Sequence, residues 1–542
     1  MTPRLDDLVP VALRRGWAAD GICPDLDLYA LFRAHRLAAP DRVAVIDADG
    51  ELTYAALDRL ARGAAAGLRG LGVGEGDVVG VQLANGRDAV VADLALAALG
   101  AVALPFPVGR GVADAVSLLG RSGARAAVVA SEYRGTAPAR ELLAAADRLP
   151  GLRVVVAAGP QELPEGGVAW NEVLSADGRA FTPARPDPDG AARILVSSGS
   201  EAEPKMVAYS HNALAGGRGN FMATLIADAD PPRCLFLVPL ASAFGSNGTA
   251  VTLARHGGSL VLLDHFSPEA AHAAIRGHRP SHVLAVPTMI RMMLDRPGNG
   301  AMPPMTALVL GGAELDAATE AEAGGVFGCP VVNLYGSADG VNCHSGLCGA
   351  PEHGRGPGVV VGLPDPRVTE IRIAPAPGEE GVGEIIARGP MSPMCYVGAP
   401  ELNRRYRTAD GWVRTGDLGT IDADGRLRLV GRLRRIVVRG GANISPAEVE
   451  RALSGHPDVR EVVCLGVPDR VMGERLAACV VPRPGRTPRL AGLVSHLLRR
   501  GVGRDRHPEH LLLVEEVPLT PAGKPDRDAL LALLSRGRSD PG

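Results

Sequence analysis

Lysine is almost missing from this 542-residue chain. Only Lys205 and Lys524 are lysines, so the other 55 of its 57 basic residues are arginines. An exposed salt bridge contributes little stability, and arginine can form it as well as lysine. An ammonium group differs from guanidinium because it is a compact point charge on a thin stem, which can enter a narrow site between oxygens. We therefore expect the two lysines to mark sites of chemistry.

An excess of charge is also missing, since 57 basic residues stand against 60 acidic ones and leave a net charge of −3. This balance, with the arginines spread along the chain, argues against a nucleic-acid partner. The eight cysteines include no CxxC pair, which is typical of free thiols in a reducing cytoplasm. We expect a cytoplasmic location.

Long uninterrupted apolar segments are absent as well. The N-terminal residues include acidic side chains and no apolar core, so no signal peptide is expected. The most hydrophobic run, residues 89–107, contains Asp93 and ends in prolines. We predict a buried helix followed by a strand there, and no membrane partner.

The length of the chain exceeds what one hydrophobic core supports, which predicts at least two domains. From about residue 26 to 430, alanine-rich helical stretches alternate with short β-branched runs. This alternation predicts an α/β domain of layered, mostly parallel sheets with helices.

The composition changes near residue 431. Four arginines lie within residues 431–439, and "SPAEVE" then predicts a helix with Ser445 as its N-cap. Shorter strands and helices follow. We predict an N-terminal domain over residues 1–431, a hinge at 432–435 and a small α+β C-terminal domain over 436–542.

Lys205 lies in "ILVSSGSEAEPKMVAYSH", residues 194–211, which predicts an apolar strand followed by a loop of small residues. Such a loop can direct backbone N–H groups and hydroxyls toward phosphate oxygens, with the lysine adding positive charge. The Gly-Lys-Ser/Thr of the Walker motif is missing. A phosphate site and an ordinary loop both remain open on this evidence.

Five motifs together resemble those of the adenylate-forming superfamily, which includes acyl- and aryl-CoA synthetases and peptide-synthetase adenylation domains. They are, in chain order, Ser197–Met206, "NLYGSADG" around Tyr335, "RTGDLG" with Asp417, Gly431–Arg434, and Pro518–Lys524. The resemblance implies a large α/β domain with a small mobile lid. It also implies ATP-dependent conversion of a carboxylic acid to an acyl-adenylate, followed by transfer to a thiol.

The resemblance assigns a role to each motif. Lys524 would be the catalytic residue that holds the attacking carboxylate, Tyr335 would stack on adenine, and Asp417 would accept from the ribose hydroxyls. Asp339 would bind Mg²⁺, a cation that prefers oxygen ligands. The full set of residues expected to bind ATP is Ser197, Ser198, Gly199, Ser200, Lys205, Gly312, Ala313, Asn333, Tyr335, Gly336, Asp417 and Arg432.

The resemblance also implies a moving lid and shows departures from the family pattern. Arg434 would be the hinge, and Gly440 with Gly441 would let a pantetheine arm pass close to the backbone. Glu201 replaces a threonine in the phosphate loop and brings a carboxylate near a triphosphate. Asp339 is one methylene shorter than the usual glutamate.

The substrate is predicted from residues 239–249, "PLASAFGSNGT". Amino-acid-activating relatives carry an aspartate after the phenylalanine, whereas Gly245 follows Phe244 here, and an unpaired buried ammonium is costly. Ala243 stands where dihydroxybenzoate-activating relatives have an asparagine, which predicts a roomier, more apolar cavity for an aromatic acid. The predicted substrate-binding residues are Ser242, Ala243, Phe244, Gly245, Gly312, Gly336, Ala338 and Gly340.

The preferred interpretation is an aryl acid–CoA ligase of secondary metabolism that uses ATP, Mg²⁺ and coenzyme A. One alternative is a stand-alone adenylation enzyme that loads the phosphopantetheine of a carrier protein, because both acceptors end in the same thiol. Another is a non-catalytic adenylate-binding homologue, for which the substituted phosphate loop is the support.

Overall fold

The computed structural model describes most of the chain. The described residues are 5–159, 165–197, 204–227, 230–296, 298, 300–313, 315, 317–347, 359–375, 381–433, 436–518 and 525–537.

Within these residues the α-helices follow the alanine- and leucine-rich stretches. They are α1 Val11–Ala19, α2 Leu28–Ala38, α3 Tyr54–Gly70, α4 Arg87–Leu99, α5 Val112–Ser122, α6 Pro138–Ala144, α7 Trp170–Leu174, α8 Gly219–Ile226, α9 Pro268–His278, α10 Pro287–Asp295, α11 Ala317–Phe327, α12 Pro400–Tyr406, α13 Pro446–Ser454, α14 Leu490–Arg499 and α15 Arg527–Gly537. Short 3₁₀ turns cover Ala146–Arg148, Gly245–Asn247 and Arg504–Arg506, and wider π-helical turns cover Ala213–Arg218 and Gly248–Arg255.

The strands of the larger unit follow the β-branched runs. They are β1 Val43–Asp47, β2 Gly50–Thr53, β3 Val78–Gln82, β4 Val102–Pro105, β5 Ala126–Ala130, β6 Val154–Ala158, β7 Val168–Ala169, β8 Ala191–Ser197, β9 Lys205–Ser210, β10 Arg233–Phe236, β11 Ser259–Leu262, β12 His282–Ala285, β13 Ala307–Gly311, β14 Val331–Ser337, β15 Val341–His344, β16 Val359–Gly362, β17 Glu370–Pro375, β18 Gly383–Arg388, β19 Cys395–Tyr396, β20 Val413–Ile421 and β21 Leu427–Arg432. The C-terminal strands are β22 Val437–Arg439, β23 Ala442–Ile444, β24 Val459–Asp469, β25 Gly473–Pro482 and β26 His510–Leu513.

The chain divides into two compact units. The larger comprises Met1–Val108, Leu118–Ser197 and Met206–Leu433, and the smaller comprises Gly109–Ser117, Ser198–Lys205 and Arg434–Gly542, wherever these spans are described. The exact hinge at residues 432–435 stays a prediction.

Two eight-stranded sheets dominate the larger unit. Their strand orders are β15-β14-β13-β12-β10-β11-β1-β2 and β19-β9-β8-β4-β3-β5-β6-β7. In the first sheet, every neighbouring pair from β14–β13 to β11–β1 is parallel. In the second sheet, β3 pairs in parallel with β4 and β5, and β4 pairs in parallel with β8. One hydrophobic core contains side chains of both sheets and of α2, α3 and α4. Mostly parallel, layered sheets were predicted, and this fold class is confirmed.

A third sheet of the larger unit is antiparallel, in contrast to the parallel strands expected up to residue 430. Its order is β16-β21-β20-β18-β17, and each neighbouring pair in this order runs antiparallel. Sequential strands joined by short connections can pair this way without a crossover helix. A core shared with the β14–β15 hairpin includes Tyr335, so this sheet contacts the strand that carries a predicted site motif.

The smaller unit has a mixed sheet with helices on both faces. Its order is β23-β22-β25-β24, with β26 parallel to β25. Alternate residues of β24 and β25 face opposite sides, so one core includes α13 and α14 and another includes α15. Ser445 takes the predicted N-cap position of α13, although its hydroxyl makes no capping hydrogen bond.

The hydrophobic run at residues 89–107 forms α4 and β4, as predicted. Helix α4 is buried on all sides between the large sheets, which explains its nearly uniform apolar sequence. Its Asp93 pairs with Arg193 of β8, with 2.6 Å between Oδ2 and Nη1. No helix in the described parts of the chain has the length and apolar character needed to cross a membrane.

The Asp93–Arg193 pair should be important for the stability of the larger unit, because only 9% and 5% of these side chains are exposed. Arg193→Met would leave a buried carboxylate without its partner, which costs about 3–5 kcal/mol. Tryptophan fluorescence during urea unfolding reports on this unit, since Trp17, Trp170 and Trp412 all belong to it.

The matched control is Arg404→Met, because Arg404 pairs with Glu401 on the surface. Its effect should stay below about 1 kcal/mol. Equal losses of unfolding free energy in the two variants would show that the buried pair stabilises the protein no more than the surface pair does.

Candidate functional site

The predicted site residues collect at the carboxyl ends of parallel strands. The acyl segment, residues 239–249, follows β10; Gly312 and Ala313 follow β13; and Ala338 with Asp339 follows β14. Register pairs Gly311 with Leu334, so Gly312 leaves the sheet beside Tyr335. In open α/β sheets, ligands bind in the crevice outside this edge.

The predicted phosphate loop connects β8 to β9. Ser197 ends β8, and Lys205, which is buried, begins β9. Ser198, Gly199, Ser200 and Glu201 lie outside the described residues, as do Arg434 and Lys524. Their roles stay predictions.

Asp417 lies on β20 and is held from two sides. Its Oδ2 accepts a hydrogen bond from the Tyr335 hydroxyl at 2.7 Å, and its Oδ1 lies 2.8 Å from Nε of Arg432. Register on the antiparallel sheet places Arg432 directly opposite Asp417. Three residues predicted from separate motifs to bind ATP are therefore in direct contact.

Tyr335 is a protonated donor in this arrangement. Burial, and then the charge of Asp417, raises the pKa of Tyr335 well above its ordinary value. The residue exposes 8% of its surface and belongs to the core of the antiparallel sheet. Its stacking on adenine stays a prediction. Nearby on β14, Asn333 is buried, and its backbone N–H donates to the Ser345 hydroxyl.

Asp339 is fixed by two hydroxyl groups. Oδ1 accepts from the Tyr396 hydroxyl at 2.7 Å, and Oδ2 accepts from the Ser337 hydroxyl at 2.9 Å. The neighbouring Ala338 carbonyl accepts from the Tyr209 hydroxyl at 2.8 Å. Tyr209 and Tyr396 lie on β9 and β19, at the edge of the other large sheet, so these bonds connect the two sheets at the site.

Both tyrosines stay neutral. Burial raises the pKa of Tyr209, and burial with the charge of Asp339 raises the pKa of Tyr396. Neither residue was predicted from the sequence, although the rarity of tyrosine was a usable signal. The chain has seven tyrosines, and three of them, Tyr209, Tyr335 and Tyr396, contact predicted site residues.

The donor set suits a magnesium ion that arrives with a nucleotide. In the described parts of the chain, no group of three or more His, Cys, Asp or Glu side chains could hold a metal by itself. A buried single carboxylate such as Asp339 fits Mg²⁺, which is commonly bound through one or two carboxylates together with substrate phosphates.

The acyl segment is fixed by buried polar groups. Arg193 donates to the Leu240 carbonyl at 2.9 Å, and the Asn85 side chain bonds the Leu240 N–H and the Val238 carbonyl. The Ser242 hydroxyl accepts from the Gly245 N–H, which begins the following 3₁₀ turn. The Ala243 carbonyl accepts from Ser246 and from Arg218, a buried residue that was not among the predicted site residues.

Several predicted glycines have local structural reasons. A Cβ at Gly245 would lie 1.9 Å from the Pro239 carbonyl oxygen, and one at Gly340 would lie 2.4 Å from Cδ of Pro393. At Gly336 the nearest atom would be 3.7 Å from such a Cβ, an ordinary van der Waals distance, so a side chain there would meet no clash at Cβ. Gly440 and Gly441 both have positive φ and form the tight turn between β22 and β23. Contact of these glycines with a substrate or a thiol stays a prediction.

The Tyr335–Asp417 hydrogen bond should contribute measurable stability. Tyr335→Phe removes a donor to a buried carboxylate, and a hydrogen bond to a charged group is worth about 1.5–3 kcal/mol. Urea unfolding followed by tryptophan fluorescence checks this loss.

Tyr133→Phe is the matched control, since the Tyr133 hydroxyl makes a long 3.4 Å contact at the surface. It should change stability by less than about 0.5 kcal/mol. A Tyr335→Phe protein as stable as this control would refute the inferred contact.

The chain matches two family models in sequence order. Residues 32–397 match the model of the AMP-binding enzyme, and residues 448–524 match that of the AMP-binding enzyme C-terminal domain.

Two curated relatives are similar over almost their full length. The salicyl-AMP ligase / salicyl-S-ArCP synthetase of Mycobacterium tuberculosis is 33% identical over 91% of this chain and 88% of that protein. The 2-hydroxy-7-methoxy-5-methyl-1-naphthoate–CoA ligase of Streptomyces carzinostaticus is 32% identical, with coverage of 92% and 91%.

The solved structure of the amide bond synthetase McbA from Marinactinospora thermotolerans superimposes with a TM-score of 0.79. It is 28% identical in sequence, and the match covers 93% of this chain and 99% of that one. These matches agree with the motif order. The chain therefore belongs to the AMP-binding enzyme family, which confirms the predictions of this family and of an AMP-forming acid–thiol ligase.

Proposed function

We propose that this enzyme activates an aromatic carboxylic acid as its acyl-adenylate and transfers the acyl group to the thiol of coenzyme A. The observation that carries the proposal is the grouping of the acyl segment, Asp339 and the Tyr335–Asp417–Arg432 contacts around one strand edge. The acyl segment contains no acidic residue to pair with an amino-acid ammonium.

In the first half-reaction a carboxylate oxygen attacks the α-phosphorus of ATP. A new P–O bond forms, the bond from the α-phosphorus to the bridging oxygen breaks, and pyrophosphate leaves with the electron pair. Asp417 would accept from the ribose hydroxyls and thereby orient the nucleotide. Lys205 and the loop from Ser197 to Ser200 would neutralise phosphate charge, and Lys524 would hold the attacking carboxylate.

Magnesium held by Asp339 would supply further charge neutralisation on the phosphates. The Tyr396 and Ser337 hydroxyls would keep this carboxylate in one orientation. In the second half-reaction the thiolate sulfur attacks the acyl carbon, the C–O bond to AMP breaks, and the thioester is released.

The names of the relatives support an aromatic acid, because they specify salicyl and naphthoate substrates. The same names divide between a carrier-protein synthetase and a CoA ligase. Loading of a carrier-protein phosphopantetheine is therefore the second candidate, and competition between coenzyme A and a carrier protein distinguishes the two. The cytoplasmic location stays a prediction.

The substrate class is tested by ATP–pyrophosphate exchange with acids that differ in one group. 3-Phenylpropanoate and phenylalanine differ only in the α-ammonium, and an unpaired buried charge costs several kcal/mol. We expect exchange with 3-phenylpropanoate or benzoate to exceed that with phenylalanine at least about 100-fold. Medium-chain fatty acids or amino acids that outperform every aromatic acid would refute the proposed substrate while leaving the adenylation chemistry intact.

Lys524 is tested by separating the half-reactions. Lys524→Ala should abolish pyrophosphate exchange, whereas thioester formation from a supplied aroyl-adenylate should persist. Lys524→Arg should also be poor, because a planar guanidinium cannot replace a point donor in a narrow slot.

Arg536→Ala, at an exposed position of α15, is the matched control and should retain both activities. Unchanged exchange in Lys524→Ala would overturn the catalytic assignment.

A further inference from the structure

Arg218 is a buried cation that has no carboxylate partner among the residues the structure describes. It exposes 5% of its surface and ends the π-helical turn Ala213–Arg218. Its Nη1 donates to the Ala243 carbonyl at 2.8 Å and to the Ser246 hydroxyl at 3.0 Å. Across the described ranges, its contacts are with neutral groups only, and its buried Nε lacks a hydrogen-bond acceptor.

The contacts of Arg218 place it beside the predicted acid pocket. Ala243 is one of the residues predicted to face the acid. The guanidinium carbon also lies 5.0 Å from the centre of the Tyr209 ring, and the Tyr209 hydroxyl bonds the carbonyl of Ala338, another predicted pocket residue. Arg218 thus contacts the predicted pocket residue Ala243 directly and is connected to Ala338 through the Tyr209 side chain.

The surroundings compensate this charge only in part. A guanidinium stays protonated in proteins, and buried charges are ordinarily paired. Here the partners are a carbonyl, a hydroxyl and an aromatic face, all of them neutral. The buried Thr249 hydroxyl, three residues beyond Ser246, also lacks a partner among the described residues. An anionic oxygen could pair with the guanidinium.

The reacting carboxylate is a poor candidate for that anion. It loses its negative charge when it becomes the acyl-adenylate, because a lone pair of the attacking oxygen becomes the new P–O bond. The proposed function already assigns that carboxylate to Lys524, and a second buried cation on it would add stabilisation mainly to the charged ground state. A separate substituent that keeps its charge throughout the reaction would pair with Arg218 without this penalty.

We propose that the acid substrate carries a second, negatively charged oxygen substituent and that Arg218 binds it. This inference rests on the proposed function, and it adds one charged group to the roomier, more apolar cavity expected beside Ala243. It adds a reason for rejecting amino acids, since a buried guanidinium repels an ammonium.

The test compares benzoate with its 2-, 3- and 4-carboxy derivatives, phthalate, isophthalate and terephthalate, in ATP–pyrophosphate exchange. With the wild-type enzyme, kcat/KM for at least one diacid should exceed that for benzoate about 100-fold. Arg218→Met should remove this preference, mainly by raising KM for the diacid, so that kcat/KM for the diacid falls far more than kcat/KM for benzoate. Arg218→Lys should restore part of the preference, and the surface variant Arg404→Met should keep all of it.

The wild-type comparison decides the inference even if Arg218→Met does not fold. If the wild-type enzyme uses benzoate as well as or better than every diacid, the inference about Arg218 is wrong and the proposed function still stands. Equal losses for benzoate and diacid in Arg218→Met would overturn it in favour of a structural role. No exchange with any aromatic acid would overturn the proposed function and this inference together.

Discussion

Two buried tyrosine hydroxyls fix the turn on which the site depends. Tyr209 binds the Ala338 carbonyl and Tyr396 binds Asp339, and both donors belong to the edge of one large sheet while the turn belongs to the other. Their raised pKa values keep them protonated, so they remain donors across the working pH range. Through these bonds, β9, which begins at Lys205, is held beside the strand that carries Tyr335 and Asp339.

A second buried connection orders the acyl segment. Arg193 on β8 pairs with Asp93 of the central helix α4 and donates to the Leu240 carbonyl beyond β10. Arg218 performs a similar task a few residues later, at Ala243. The difference is that Arg193 has a carboxylate partner, whereas Arg218 has only neutral partners in the described structure. Two arginines therefore shape one segment, and only one of them has its charge balanced.

Sequence reasoning was most reliable where a pattern is local. The apolar run broken by Asp93 predicted a buried helix and strand, and motif order predicted the family. It was weaker where pairing or packing across the fold decides the outcome. Strand direction between β16 and β21 depends on partners distant in sequence. The glycines at 245, 440 and 441 serve backbone packing or a tight turn, which composition cannot distinguish from ligand contact. Arg218, between two glycines, gave no sign of burial.

The central claim, that the carboxylate attacks the α-phosphorus of ATP, is tested most directly by isotope transfer. An aromatic acid labelled with ¹⁸O in its carboxylate is incubated with the enzyme, ATP and coenzyme A, and the products are analysed by mass spectrometry. The account predicts that one labelled oxygen appears in AMP for each thioester formed, with none in pyrophosphate. Label in inorganic phosphate with ADP as the product, or thioester formation with unlabelled AMP, would contradict it.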